Sequence, residues 1–530
     1  RDGVRLATDV YRPMRDGKPL ADPRPIVLIR TPYNKGNGQS SEAKYFASHG
    51  YVAVVQDTRG RYRSEGLFTK YLSEGEDGYD TLAWLVAQPW CNGKVGTFGQ
   101  SYNAFTQIMS APLASPCLKC LVPVEGQQTF FGHQYNDGVL QLNVVFTHGL
   151  FATGATGLQG HIPLRDPHFL QLPLVSAADK VPHPQAQRIK KWLQHARYDD
   201  HWKSFGVRDK YDRIQAPAYF VTGWYDNLVH ENFRNFTGFR QQGGNAAVRR
   251  GTKLRVGPGV HGANPLPQVE SLRWFDYWLK GLPTGIDREA PLRIFVMGAG
   301  CWRDEYEWPL ARTQFTKFYL SSGGHANSVR GDGRLTAAAP GADCQPDTFV
   351  YDPANPVYTL GGQISTNPEV WGPQDRQSVP TREDVLVYTT EPLAEDTEVT
   401  GPIEVKLYAA STAVDTDFTA TLTDVHPDGR AIHICEGIRG ATFCESLENP
   451  TPIVPGQVYE YSISLWETSQ VFARGHRIRL EISSSNFPRF DINPNTGEPL
   501  NQHRRQVVAV NTVHHDADHP SHIILPVISP

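Results

Sequence analysis

The apolar positions of this 530-residue chain change rhythm twice. Over the first 125 residues, short apolar, β-prone runs alternate with helix-compatible stretches. Residues 25–29 (Pro-Ile-Val-Leu-Ile) and 51–55 read as strands buried on both faces. Residues 76–87 place Leu82, Leu85 and Val86 on one side of a helix that stops before Pro89. A strand at 95–98 runs into a helix from Tyr102, and 118–124 is a further strand. Strands separated by helices of this length predict a mostly parallel sheet covered on both faces. Reactive groups in such sheets collect at the C-terminal ends of the strands.

From about Gly126 to Asp212 the strand signals fade. Helix-like stretches replace them, such as 184–198 with Ile189, Trp192 and Leu193. This predicts a helical insertion over the sheet, where a lid would shape a pocket; an inert insertion is the plainer reading. The sheet resumes at 218–221, which leads into Thr222-Gly-Trp-Tyr-Asp226, and at 253–256, which leads into Gly257-Pro-Gly-Val-His261. Residues 271–280 predict a closing helix with Leu272, Phe275, Trp278 and Leu279 on one face, stopped by Gly281 and Pro283. After about 290 the helices disappear. Alternating triplets such as Ile403, Val405, Leu407 and Ile478, Leu480, Ile482 recur, the latter interleaved with Arg477, Arg479 and Glu481. Short strands of period two predict an antiparallel, jelly-roll-like sandwich. The expected organisation is α/β: a sheet-and-helix α/β domain from 1–125 and 213–290, a helical cap at 126–212, and an all-β sandwich at 291–530.

The chemistry centres on Gly99-Gln-Ser101, where a strand turns into a helix. A serine on so tight a bend presents its hydroxyl outward, and the following N–H groups open a helix N-terminus. Those are the parts of a nucleophile and an oxyanion site, although most Gly-x-Ser turns are only turns. Asp226 and His261 follow at later strand ends, and Ser, Asp, His is the chain order of α/β-hydrolase triads.

Composition changes this little. A net charge of −4 offers no basic field for nucleic acid or an anionic membrane. No apolar run reaches the roughly 18 residues of a spanning helix. Seven cysteines are sparse, and Cys117-Leu-Lys-Cys120 has no second pair for zinc, so small buried thiols are expected. Cys435 and Cys444 would bridge only in an oxidising compartment. The chain opens on Arg1, so an upstream leader is left open, with the cytoplasm as the default location. The polar turn from His514 to His519 has metal-like residues but precedes a final strand and is read as a turn. No metal and no cofactor are expected. His133, His148, His161, His230 and His433 are read as surface or satisfied core residues, and Asp57 with Arg59 as a structural loop pair.

The ordered set of motifs resembles the cocaine-esterase and Xaa-Pro dipeptidyl-peptidase (S15-like) serine hydrolases, which include the α-amino-acid ester hydrolases. It comprises Arg1-Asp-Gly-Val-Arg-Leu, Arg30-Thr-Pro-Tyr33, Asp57-Thr-Arg-Gly60 with Ser64-Glu-Gly66, Gln88-Pro-Trp90, Gly223-Trp-Tyr-Asp226, Ser485-Asn-Phe-Pro-Arg489 and Asn493-Pro-Asn-Thr-Gly497. The resemblance implies Ser101 as nucleophile, His261 as general base and then acid, and Asp226 as its orienting carboxylate. It implies an oxyanion hole from the Tyr33 hydroxyl and the Tyr102 N–H. Three positions depart from the family pattern. Ala104 and Gly259 stand where glycine and tryptophan are usual, and Asn227-Leu-Val229 carries none of the acids that hold a substrate ammonium. An apolar acyl group therefore suits the site better, with Leu228 a candidate pocket residue by resemblance, Trp224 a second, and Glu231 a more distant carboxylate. The expectation is a serine hydrolase of small-molecule carboxylic esters acting through an acyl-enzyme. An amide-cleaving acylase or dipeptidyl peptidase is the alternative, and a carbohydrate-binding module the non-enzymatic one. Assembly into a homo-oligomer is left open.

Overall fold

The computed structural model describes residues 1–529 apart from 37, 151–154, 157–166, 181–185, 343 and 365–368. The unbroken apolar runs near the N-terminus are the central strands of its first sheet. These are β1 (Thr8–Tyr11), β2 (Arg24–Thr31), β3 (Val52–Asp57), β4 (Cys91–Gln100), β5 (Leu118–Val124), β6 (Tyr219–Tyr225), β7 (Lys253–Val260), β8 (Leu292–Val296) and β9 (Cys301–Glu305). Their spatial order is β1-β3-β2-β4-β5-β6-β7-β8-β9. The strands from β2 to β8 are parallel, and β1 and β9 are antiparallel edges.

Period two sorts each run between two layers. Ile26, Leu28, Val52 and Val54 meet Leu82, Ile108 and Phe233 on one face. Val27, Ile29, Ala53 and Val55 meet Phe46, Trp274 and Phe275 on the other. The first layer belongs to helices α2 (Glu74–Val86), α3 (Tyr102–Ser110) and α4 (Val229–Gln242), and the second to α1 (Gln39–Ser48) and α5 (Gln268–Phe275). The helix expected at 271–280 begins earlier and ends as a widened turn over Asp276–Lys280, stopped by Gly281 at φ 72°. The hairpin β8–β9 carries this sheet to Glu305, past the boundary at 290 expected from the disappearance of helices. A short alternating strand has the same pattern whether it edges a parallel sheet or enters a sandwich.

Between β5 and β6 the chain forms helices Leu142–Leu150, Leu174–Lys180 and Ala186–Gln194. Ile189, Trp192 and Leu193 are buried with Phe130, Phe131 and Trp202, in a cluster continuous with the core of the C-terminal sandwich. There the long strand Thr397–Ser411 pairs with Tyr459–Phe472, Ala509–His514 and His522–Ile528. Ile403, Val405 and Leu407 point inward, as their alternation predicts. In Arg477–Ser483 the intervening Arg479 and Glu481 are also buried. Glu481 accepts from Arg376 at 3.0 Å, so a covering segment, not solvent, meets the polar face.

Hydrogen bonds at the strand ends help to fix the sandwich against the first sheet. Tyr225 Oη donates to the His433 carbonyl (2.7 Å), and Gln363 Nε2 donates to the Trp224 carbonyl (3.2 Å).

Candidate active site

Ser101 follows β4 and caps α3 with φ 60° and ψ −120°. That backbone is strained for a non-glycine residue, a cost of order 1–3 kcal/mol that the surrounding bonds must hold. Ser101 N donates to the Val124 carbonyl (2.8 Å), and Ala104 N donates to the Ser101 carbonyl (2.9 Å). The bend needs Gly99, at φ 145°, because a Cβ there would lie 2.5 Å from Asn103 Cβ. At Ala104 the single methyl is accommodated by Gly126, where an added Cβ would come within 2.9 Å of it. The departure from glycine is absorbed on the facing strand end.

His261, just beyond β7, brings Nε2 to 3.1 Å from Ser101 Oγ and Nδ1 to 2.9 Å from Asp226 Oδ1. Asp226, just beyond β6, is fully buried. Its Oδ1 also accepts from Leu228 N (3.1 Å), and its Oδ2 accepts from Thr222 Oγ1 (2.8 Å). Both carboxylate oxygens are thus oriented before the imidazole arrives, and each accepts a protein hydrogen bond, so neither is a buried acceptor left unsatisfied.

A residue that the sequence reading missed stands beside them. Glu125, fully buried at φ 53° just after β5, holds Oε2 at 3.6 Å from His261 Nδ1. Its carboxylate accepts from Gly262 N (2.7 Å), Gln100 Nε2 (2.7 Å) and Asn264 Nδ2 (3.0 Å). Burial lowers the His261 pKa, but Glu125 and then Asp226 outweigh it and raise it to about 9. Burial raises Glu125, while His261 pulls it down. The only sequence signal was a lone acid closing an apolar strand at the end where reactive groups gather.

Tyr33 lies on the other side of the serine. Its Oη donates to Ser101 Oγ (3.4 Å) and accepts from Tyr102 N (3.3 Å). Burial raises the phenol pKa, so it remains a neutral donor near pH 7. The Tyr102 ring is anchored separately. Its hydroxyl donates to Glu74 (2.8 Å) and accepts from Tyr71 N (2.8 Å), and Arg30 pairs with Glu74 at 3.0 Å. Arg30 of the Arg-Thr-Pro-Tyr stretch therefore fixes the start of α3 from below. A hydroxyl between an imidazole and two donors suits attack on a carbonyl and stabilisation of the resulting oxyanion.

The description X-Pro dipeptidyl-peptidase (S15 family) matches residues 2–263, and X-Pro dipeptidyl-peptidase C-terminal non-catalytic domain matches residues 284–524. A cocaine esterase from Rhodococcus sp. is 38% identical over 100% of this chain and 97% of its own length. The chain belongs to the S15 hydrolase family. Two solved structures share its whole fold. An aminopeptidase from a marine sediment Thaumarchaeota archaeon is 25% identical, with a TM-score of 0.85 covering 100% of this chain and 95% of that one. An α-amino acid ester hydrolase is 26% identical, with a TM-score of 0.83 covering 99% and 95%.

Other positions of this S15 serine hydrolase depart from expectation. Trp224 does not face the serine. It is fully buried, stacks on Phe233 (centroids 5.8 Å apart) and donates Nε1 to the Phe295 carbonyl at 2.6 Å. In a strand covered on both faces, the residue two before Asp226 points into the helix layer, so Trp224 is core. Leu228 is buried beside Asp226 and contributes its backbone N–H to that carboxylate. At Gly259 a Cβ would lie 2.7 Å from Asn264 Oδ1, which itself accepts from Gly259 N (2.9 Å). Asn264 thus supports the His261 loop where the family usually has tryptophan. Glu231 is committed elsewhere: Oε2 accepts from the N–H groups of Gln128 and Thr129 (2.9 Å each), and Oε1 lies 3.2 Å from Arg234.

The histidines read as bland vary in detail. His133 is buried and its pKa is lowered to about 3, chiefly by burial. His230 bonds Glu467 (3.0 Å) and stacks on Trp466. His433 is buried against Glu436. His161 and the His148 side chain lie outside the described residues. Asp57 and Arg59 are structural but not partners. Asp57 accepts from Lys35 N (2.8 Å), while Arg59 pairs with Asp77 and Asp2. All seven cysteines are free thiols.

Proposed function

We propose that this S15 hydrolase cleaves small-molecule carboxylic esters with an uncharged acyl group, through an acyl-enzyme on Ser101. His261 Nε2 takes the Ser101 proton as Oγ attacks the ester carbonyl. The tetrahedral oxyanion is held by the Tyr33 hydroxyl and the Tyr102 N–H. The imidazolium, stabilised by Asp226 and Glu125, then protonates the departing alkoxide. Water repeats the sequence on the acyl-enzyme, with His261 as base and Ser101 as leaving group. The observation that carries the reading is the relay Asp226–His261–Ser101, at 2.9 and 3.1 Å, with Tyr33 and Tyr102 on the other side of the nucleophile. Its first-named relative, a cocaine esterase, supports an ester as substrate.

The substrate class rests on charge. Residues 227–229 carry no carboxylate, and Glu231 is consumed by two backbone N–H groups and an arginine. A cationic α-amino group would thus find no free carboxylate among residues 227–231 beside the triad, and an uncompensated charge in a desolvated site is costly. The test sets aryl esters, α-amino-acid esters and Xaa-Pro anilides side by side, with Ser101→Ala as control. The expected order puts neutral aryl esters first, with none cleaved by the variant. Preference for Xaa-Pro anilides or cationic esters would overturn the substrate class.

A further inference from the structure

The phenol of Tyr33 stands on a stretch of chain that has no ladder of its own. β2 ends at Thr31, and residues 32–34 belong to neither strand nor helix. Pro32 has no N–H to donate, and Asn34 takes a left-handed backbone at φ 83°. The phenol oxygen lies at the far end of a long side chain, so a small tilt of this turn is magnified at the atom that must meet the oxyanion. Catalysis is sensitive to displacements of that size.

The loop that leaves β3 holds the turn. Thr58 N donates to the Thr31 carbonyl (3.0 Å), Arg61 Nε donates to the Pro32 carbonyl (2.9 Å), and Lys35 N donates to Asp57 Oδ1 (2.8 Å). Tyr33 N donates to Thr31 Oγ1 (3.1 Å). The Pro32 carbonyl and the Tyr33 N–H are the two ends of one peptide group. Arg61 and Thr31 therefore hold that group from both ends, immediately before the Tyr33 side chain.

Arg61 is 0% exposed. It is turned inward after Gly60, which has φ 69° and where a Cβ would collide with the Phe68 backbone. Arg61 N donates to the Thr58 carbonyl (3.0 Å), and the guanidinium carbon lies 5.3 Å from the centre of the Phe68 ring. Phe68 in turn packs on Tyr102, the other residue of the oxyanion site, with ring centres 6.0 Å apart. Enclosing a guanidinium this fully is costly, and burial lowers its pKa. The charge also bears on the phenol. Burial raises the Tyr33 pKa, while the bonds to Ser101 and Tyr102 N and the charge of Arg61 act against that rise.

On the basis of the proposed ester hydrolysis, we infer that Arg61 is a positioning residue for the oxyanion site. It fixes the Pro32–Tyr33 peptide group and lends its charge to the phenol that receives the oxyanion. A double-mutant cycle separates this role from general support of the fold. The assay is kcat and KM for a neutral aryl ester, with the full chain as native enzyme, Arg61→Met, Arg61→Lys, Tyr33→Phe and both Arg61 variants combined with Tyr33→Phe. Arg61→Met should lower kcat by about 10- to 100-fold and leave KM within about twofold. Arg61→Lys keeps the charge and a donor, so its kcat should fall between the two. In the Tyr33→Phe background Arg61→Met should cost less than about threefold, because the hydroxyl that it positions is gone. Where Arg61→Met does not fold, Arg61→Lys carries the same cycle, and its smaller loss should vanish with the hydroxyl. An unchanged kcat in folded Arg61→Met, a change in KM alone, or a loss repeated in full in Tyr33→Phe would overturn the role of Arg61 and leave the ester mechanism standing. Absence of ester turnover in the native enzyme would overturn both.

Discussion

Replacing Glu125 with glutamine removes one of the two carboxylates that hold the His261 proton while keeping the volume of the side chain. In the native protein Oε2 lies 3.6 Å from His261 Nδ1, and together with Asp226 it lifts the imidazole from 6.5 to about 9 against the opposing effect of burial. A unit charge near 4 Å at an effective dielectric of about 20 is worth about 4 kcal/mol, and each pKa unit is about 1.4 kcal/mol. Three hydrogen bonds to the Glu125 carboxylate spread its charge, so a fall of about one to two units is expected, leaving the imidazole near 7 to 8. The direction in the rate follows from chemistry. Only the neutral imidazole accepts the serine proton, so activity rises with pH through the His261 pKa. The assay is kcat/KM for a neutral aryl ester, whose leaving group is followed between pH 5.5 and 10, in native and Glu125→Gln enzyme. The acidic limb should move down by that amount, making the variant relatively more active near pH 7 than at pH 9.5. A folded variant with an unmoved limb would refute the assignment of Glu125 as a second counter-charge.

Other outcomes follow from the same geometry. Tyr33→Phe should lower kcat by about 10²–10³ with little change in KM, since the phenol meets charge that develops only after attack; an unchanged turnover would exclude it. Trp224→Ala should cost about 3–5 kcal/mol in denaturant unfolding through loss of its packing against Phe233, without reordering the ester panel. His261 has a folded pKa above its unfolded value, so its contribution to stability is complete below about 6.5 and lost as pH rises through about 9. In the Ser101→Ala background, His261→Ala should therefore flatten that part of the melting-temperature profile. A profile of unchanged slope would contradict this.

The sheet was legible because each central strand is apolar on both faces, as in 26–29, and its motifs sit where turns must end. Ser101, Asp226 and His261 could be read for the same reason: each closes an apolar run at one sheet end. Trp224 could not be assigned, because in a strand covered on both faces the sequence does not tell an aromatic that packs under a helix, as Trp224 does against Phe233, from one that lines a pocket. Glu125 escaped notice because it belongs to no spaced motif and acts through space on a residue 136 positions later. The hairpin at 292–305 was hidden by likeness, since edge strands of either domain carry the same alternation.

Every step of the proposed mechanism passes through Ser101 as the covalent nucleophile. Rapid mixing of enzyme with a slowly deacylating aryl ester, acid quenching and peptide mass mapping test it directly. One acyl group per active enzyme should be found on the peptide that contains Ser101, with a burst of released phenol of matching size, and none in Ser101→Ala. Acylation at another residue, or ester turnover that survives in Ser101→Ala, would contradict the mechanism.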